Sequence, residues 1–423
     1  MINLIGIDKI IEQFKTKDYS FLLLCALCFF PIMQQAVVSI SIILFATASI
    51  VLNYKRFPKR LEKLKIRPLF LVSGFYLLSV ITLFYSENLT VSVREIQRGI
   101  SLFIIPLCIF YFMPIITKEK EQLLFKMFTI ANLVICSKYI FWILKLLSER
   151  GFDTFFNFNF RGKIFIHANI IPDPTYICLG FSFCIIYLGS VFFRTKDNLK
   201  KIISGVLIFN FLIFIFLLSA RTVIFSILIS LVFVFIFFVR KRLKLRRGLV
   251  FLLLFFGVVL LTIQSNSFKG RFLEEINLKN IKAPSDKNLT SLNVRYGIYS
   301  CGLKIIKDNS IFGVGIGDLQ DELNKCYNTF DTQIYKLKKM NAHNQYLQYF
   351  IIGGILTLLL FLLFLFKSLQ ISFKNNDIIY FVFLIILMVT FTTESILARI
   401  YGIVYFSIFN SIFYYRNLLK KNL

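Results

Sequence analysis

Two histidines stand among 423 residues, and one of them, His343, sits in the run AHNQYLQ, where polar sequence gives way to a long apolar stretch. Imidazole is the side chain best suited to take up a proton near neutral pH, so His343 is the candidate catalytic base. Its plain alternative is an interfacial residue at a helix end. Asn344 follows it, and Gln348, four positions on, stacks over Asn344 if the segment is helical. The second histidine, His167, lies in HANIIPDPTYICLG. Arg221, in LLSARTVIF, interrupts apolar sequence on both sides. A guanidinium there is costly unless it meets an anion or a water-filled cavity, or snorkels to lipid headgroups. Arg295 offers a second planar fork suited to phosphate oxygens, although taken alone it also fits a solvated surface charge. Arg94, Arg98 and Arg161 are weaker candidates of the same kind. Glu394 and Arg399 flank the turn in TESILARIYG. An ion pair pinning that turn is favoured there over direct substrate contact. Lys138, inside an apolar run, is either a pathway residue or paired locally.

Other motifs carry less. GVGIGD at 313–318 is glycine-rich, but it lacks the GxxxxGK[ST] pattern and a preceding strand, so it is not a nucleotide phosphate loop. The CxxC at Cys25–Cys28 falls within an apolar run and is neither a zinc pair nor a redox motif. No Asp-x-Asp pair or His/Cys cluster has ligand spacing, so no metal and no cofactor is expected.

The elements that must position these groups follow from composition. Hydrophobic residues make up 57% of the chain and charged ones 17%, 52 residues are Phe, and mean hydropathy is +0.74. Soluble domains carry about 25% charged residues, so no soluble surface can be built from what is left. About twelve apolar stretches are each long enough to cross a hydrocarbon core of roughly 30 Å as a helix. They fall near 20–34, 36–53, 68–85, 99–116, 123–147, 174–193, 202–219, 222–239, 248–264, 346–366, 377–393 and 396–415, with the first two split at Pro31 and Gln34. The chain therefore reads as an all-α polytopic membrane protein. Residues 1–264 form the first nine helices, 265–345 one large outer loop that is mostly helical, and 346–423 the last three helices with a tail. Residues 2–14 fit an interfacial helix rather than a cleavable signal.

The net charge of +27 would suggest a nucleic-acid partner if it were spread over a surface. It is not. Lys55 to Arg67, Arg194 to Lys201, Arg240 to Arg247 and Arg416 to Lys421 all fall on one side if both termini are cytoplasmic, the positive-inside pattern. Membrane lipid, not nucleic acid, is the partner this implies. In the outer loop, 291–307 reads as an amphipathic helix with Leu292, Tyr299, Leu303 and Ile306 on one face, and a second helical run ends near Phe330. Of eight cysteines, only Cys301 and Cys326 lie in that loop. They are either a disulfide between its two helices or two free thiols.

The run RYGIYSCGLKIIKDNSIFGVGIGDLQ…AHNQYLQYFIIGGILTLLLFL resembles the O-antigen ligase and O-antigen polymerase superfamily, which has an Arg-led helix, a GVGxG stretch and an HNxYLQ segment entering a helix. HANIIPDPTYICLGFSF, LLSARTVIFS and TESILARIYGIVYFSIFNSIF resemble bacteroidete-type members, so the likeness runs from about residue 165 onward. Two departures are Tyr299 in place of Trp and IFGVG without its usual Pro. The resemblance implies a C-type membrane glycosyltransferase of the bacterial inner membrane, working at its periplasmic face. Its donor would be a glycan on undecaprenyl diphosphate. Its acceptor would be lipid A–core in a ligase, the first reading, or another lipid-linked glycan in a polymerase. Carried over, Arg221 and Arg295 would bind the diphosphate and His343 would act at the acceptor hydroxyl or help hold the diphosphate. Asn344, Tyr176, Glu394 and Arg399 would support them. The competing class is a lipid-linked glycan transporter or flippase. Such proteins show repeated halves with broken helices at mid-membrane, whereas polar residues here collect at one boundary and in one lopsided loop.

Overall fold

The computed structural model describes residues 18–150, 172–218, 220–240, 257, 282–286, 289–337 and 340–421. Residues 2–14, His167, Arg161 and nearly all of the apolar stretch 248–264 lie outside them. The described residues are helical, without a strand. Seven helices are long and apolar enough to cross a membrane, and two shorter apolar ones span Arg221–Ile236 and Ile378–Phe391. The chain is a multi-pass helical protein.

Local chemistry sets the first breaks. Asp18 caps α1 (Tyr19–Leu27) by accepting from Phe21 N at 3.3 Å, and its other oxygen pairs with Lys120 at 2.5 Å. Pro31 sits in a tight turn, Phe30–Ile32, before α2 (Gln35–Asn53). The hairpin therefore breaks at the expected place, but α1 is much shorter than the apolar stretch that contains it. The short basic helix α3 (Phe57–Leu64) leads to α4 (Arg67–Ile81), and a turn at Thr82–Phe84 leads to α5 (Leu89–Gly99), capped by Asn88. α5 runs on through Ile100 into α6 (Ser101–Leu107), so Arg94 and Arg98 lie on a helix rather than in a connection. Then come α7 (Lys118–Arg150), α8 (Pro174–Arg194), α9 (Asn198–Leu217) and α10 (Arg221–Arg240). The segment before the last three long helices supplies α11 (Ser291–Asp308), α12 (Leu319–Tyr327) and the single turn α13 (Ile334–Leu337). α14 (Gln345–Lys374), α15 (Ile378–Phe391) and α16 (Ile400–Lys421) close the chain.

α8 packs on α9, α10 on α15, α4 on α14 and α16 on α6. Phenylalanine fills the interior: the Phe183 ring meets Phe125 and Phe128 of α7, Phe383 of α15 and Phe409 and Phe413 of α16. Wide flat rings offer large contact area with few rotamers to freeze. The six remaining cysteines are buried and form no disulfide among the described residues, filling space as small apolar residues do. Lys138 is exposed on α7, away from the packed interior.

A second, smaller core joins α11, α12 and the start of α14. Cys301 and Cys326 form a disulfide across it, with Cα atoms 5.7 Å apart. The face of α11 that is buried carries Asn293, Gly297, Ile298, Cys301, Gly302 and Ile305. Leu303, expected inside, is 63% exposed. Gly302 sets the orientation, because a Cβ there would come within 2.6 Å of Leu347 on α14. Small residues bring the helices together, and bulk points away.

At the opposite end, Arg416 of α16 pairs with Glu121 of α7 and, through Nε at 3.0 Å, with Asp377 at the start of α15. Asn417 also donates to Asp377, at 2.6 Å. Both carboxylates are buried, so removing the guanidinium leaves two uncompensated charges. Arg416→Ala is expected to lower stability by about 3 kcal/mol or more, seen as a large drop in the melting temperature of the detergent-solubilised protein. An unchanged melting temperature would show that the cluster contributes nothing.

Candidate active site

α14 begins where the segment that carries α11 and α12 ends, and its first turn assembles the site. Asn344 is the N-cap: its side chain accepts from Leu347 N at 3.0 Å, and its own N–H donates to Ser395 Oγ at 3.2 Å. Its amide is therefore spent on the helix end and not stacked over Gln348. Gln345, fully buried, accepts from Leu397 N at 2.7 Å. These two bonds pin the start of α14 to the 395–397 turn. His343, one residue earlier, has φ +42°, a left-handed conformation that disfavours a branched backbone by about 1 kcal/mol. Asn341 Oδ1 holds it by accepting from His343 N at 3.0 Å.

Held this way, the imidazole Nδ1 lies 3.1 Å from Glu394 Oε2. The other carboxylate oxygen, Oε1, is 3.4 Å from Arg295 Nη2 on α11. One carboxylate thus joins the candidate base to a candidate anion-binding arginine. If Nδ1 carries the proton toward Glu394, Nε2 is left able to accept one. Tyr299, one turn along α11 from Arg295, points its hydroxyl at His343 O, 3.3 Å away, and at Thr392 O, 3.2 Å away. Burial pushes that hydroxyl above its ordinary range, so it stays protonated and serves as a donor to these carbonyls. A Trp would also offer a single donor here, so the departure at this position keeps the bond type.

Arg221 opens α10. Its neighbour Thr222 accepts from Thr393 Oγ1 at 2.8 Å, which sets the first turn of α10 against the Thr393–Glu394 segment. Arg399 is placed differently from expectation. It does not pair with Glu394, because the tight turn at Ile396–Ala398 and the extended backbone of Arg399 turn the two side chains apart. Arg399 instead meets Asp173, ahead of α8, at 3.4 Å. Tyr176, in the first turn of α8, is within electrostatic reach of Arg399, Glu394 and Asp173. A Cβ on Gly402 would lie 2.8 Å from the Tyr176 ring, so α8 and α16 close on each other there.

The glycine-rich stretch is a structural bracket. Val314 N and Gly315 N donate to Ile351 O and Ile352 O at 2.8 and 2.9 Å, and Ile355 N donates to Ser310 O at 2.9 Å. α14 is broken to allow this: Gly353 and Gly354 leave the helical conformation, Gly354 with φ +65°. Ile316 N and Gly317 N donate to Thr82 and Ser86 side chains at 2.9 and 3.4 Å. Asp318 then accepts from Glu87 N and Asn88 N, both at 2.8 Å, anchoring the start of α5. Its N–H groups are occupied, so this loop cradles no phosphate.

Arg295, His343, Asn344 and Glu394 are thus brought to one place, with Tyr176 and Arg399 at its edge, and the Thr222–Thr393 bond sets the backbone beside Arg221 against the same segment. Tyr299, Asp173, Asp318 and the Thr222–Thr393 pair are additions. The only prior signal for Tyr299 was its place in the Arg-led helix, and Asp173 gave none, since it acts across 226 positions of sequence. Among the described residues no three His, Cys, Asp or Glu side chains converge as metal ligands. The charged groups present suit an oxyanion next to a proton acceptor.

The chain is a helical multi-pass protein with a histidine and an arginine gathered where residues 282–344 meet a broken helix. Residues 205–362 match the family model described as O-antigen ligase. Arg221, Arg295 and His343 fall inside the match; Glu394 and Arg399 lie beyond it. No curated protein matches the chain.

The bracket makes Gly354 hard to replace. A Cβ there would overlap Ile311 O, and the positive φ disfavours any L side chain. Gly354→Ala is expected to cost about 2 kcal/mol or more and to raise hydrogen exchange at Val314 and Gly315. Unchanged protection at those amides would separate the loop from the helix break.

Proposed function

We propose that this protein is a glycosyltransferase that moves a glycan from undecaprenyl diphosphate to an acceptor hydroxyl, and in the first place an O-antigen ligase whose acceptor is lipid A–core. The observation that carries the reading is the Glu394 carboxylate held between His343 and Arg295. The family assignment supports a ligase or polymerase type of membrane transferase. The Cys301–Cys326 bridge supports an oxidising, periplasmic setting for the outer segment.

In this reading the acceptor O–H approaches the anomeric carbon on the face opposite the diphosphate. His343 Nε2 takes its proton as the new C–O bond forms, and Glu394 stabilises the resulting imidazolium. The bond from the anomeric carbon to the diphosphate oxygen breaks, and the electron pair leaves with the phosphate. Arg221 and Arg295 meet that developing charge in a poorly hydrated site. The products are the inverted glycoside and free lipid diphosphate. The bond broken already carries the driving force, so neither nucleotide nor ion gradient enters. Asn341 and Tyr299 fix the His343 backbone and Asn344 caps the helix that follows, while Tyr176 and Arg399 border the site.

Purified full-length protein, lipid-linked glycan and acceptor, without nucleotide, should give glycan transfer. His343→Ala is expected to lower the rate at least about 100-fold, and Arg221→Ala and Arg295→Ala each about 100-fold or more, with melting temperatures near wild type. Normal transfer by all three variants would remove them from the chemistry. Movement of lipid-linked glycan between leaflets without transfer would favour a flippase. In cells, loss of a ligase leaves lipid-linked polymer unattached. Loss of a polymerase, the alternative within the superfamily, leaves core bearing single repeats.

A further inference from the structure

A cavity of about 900 Å³ adjoins the His343 segment on a flank that Arg221, Arg295 and Glu394 do not line. Asn341 and Gln348, which bracket His343 and the first turn of α14, both line it. Arg94 and Arg98 of α5 line it as well, as does Arg399, against the single acidic side chain of Glu95. Arg98 is engaged by Glu95 at 2.5 Å. Arg94 is exposed and has no carboxylate partner among the described residues. Arg399 is held by Asp173 at 3.4 Å, so the excess positive charge facing the space rests on Arg94.

Gln348 adds an independent observation. It is only 8% exposed, and its Oε1 finds no hydrogen-bond partner among the described residues. An unpaired buried amide oxygen is costly, so such a group next to a cavity marks a place where a ligand hydroxyl or water belongs. Saccharides supply such donors. The other wall is apolar: Ile42 and Ile43 of α2 line the cavity, and Ile43 is continuous with the exposed Ile40 and Leu44 of the same helix. That surface suits hydrocarbon chains.

We propose, building on the transferase reading, that this cavity seats the acceptor, a membrane-anchored saccharide carrying phosphate. Arg94 and Arg98 read the phosphate, Gln348 accepts from a sugar hydroxyl, and Ile42 and Ile43 border the lipid chains. The hydroxyl to be glycosylated then reaches His343 along the Asn341–Gln348 stretch, away from the arginines assigned to the donor. An in-line displacement requires this separation of incoming and leaving oxygens. Phosphorylated lipid A–core and a second lipid-diphosphate-linked repeat share this chemistry, so the test separates them.

Binding is read directly on the full-length protein in nanodiscs, with the donor site filled by undecaprenyl diphosphate. The probes are lipid A–core and a lipid-diphosphate-linked repeat, each beside a phosphate-free form: dephosphorylated lipid A–core, and a repeat joined to the same lipid by a neutral ether linker. One phosphorylated probe is expected to bind about tenfold more tightly than its phosphate-free form. Arg94→Gln, Arg98→Gln and Gln348→Leu should each weaken that probe about tenfold and leave affinity for undecaprenyl diphosphate unchanged. The probe that responds names the source of the phosphate. In turnover, the same variants should raise KM for acceptor about tenfold with little change in kcat. Variants that weaken undecaprenyl diphosphate instead would make this a donor cavity and overturn the proposal. Equal binding of phosphorylated and phosphate-free probes, or variants without effect, would overturn it too. Because binding is measured without transfer, a wild-type protein that binds but does not transfer would refute the transferase reading and leave the cavity assignment standing.

Discussion

The Glu394 carboxylate has two oxygens, and each holds a different element: Oε2 the imidazole ahead of α14, Oε1 the guanidinium on α11. The arrangement of the site depends on this sharing. Arg295 is a partly exposed cation, and Glu394 compensates part of its charge at 3.4 Å, a loose contact that leaves donors of the guanidinium unspent. A bound oxyanion can therefore be met without breaking the carboxylate's hold on His343. As the imidazole gains a proton, the attraction to Oε2 strengthens, and the same residue that orients the base stabilises its charged form.

For one carboxylate to reach both partners, the elements carrying them must be fixed to within a fraction of an ångström, and the backbone does most of that fixing. α14 gives up helical geometry at Gly353–Gly354, and its Ile351 and Ile352 carbonyls accept instead from Val314 and Gly315. The exchange ties the segment that carries α11 and α12 to the long apolar helix α14 by main-chain bonds, which do not depend on side-chain rotamers. Asp318 extends the bracket to the first N–H groups of α5, and the disulfide ties α12 to α11. Sites supported by such paired elements hold tighter geometry than free loops do.

Much of this was readable in the chain. Apolar stretch length gave the helical class, and the HN pair before an apolar run singled out His343 as a candidate, because both are local patterns that lipid and helix geometry impose. The residue types suited to an anion pointed to Arg221 and Arg295. Partnership was harder. Glu394 and Arg399 are close in sequence, so an ion pair was the local expectation, yet the turn between them sends each to a partner far along the chain, Arg295 with His343 in one case and Asp173 in the other. The apolar face of α11 is buried only in part, Ile306 lying inside and Leu303 outside, for a related reason. Hydrophobicity placed Leu303 inward, but close approach to Leu347 selected the glycine side, and helices in such a bundle choose their contacts by size as much as by polarity. The cavity beside α5 had no sequence signal at all, since its walls come from six separate stretches.

The two arginine clusters show why pairing alone does not mark a working site. Arg416 and Arg295 are both joined to carboxylates. Around Arg416 the two acidic side chains are 8% and 5% exposed, every guanidinium edge in use faces an acid, and no titratable base stands by. Such a cluster can only lock three helices together. Around Arg295 the pair is 31% and 25% exposed, the contact is longer, and the acid is shared with a histidine. Open access, an incompletely satisfied cation and a neighbouring proton acceptor are what a reaction with a leaving oxyanion needs, and a lock would eliminate all three. The same contrast separates Arg94, exposed and without a carboxylate beside the cavity, from the basic residues that orient the helices. Charge does chemistry here only where the protein has declined to neutralise it fully.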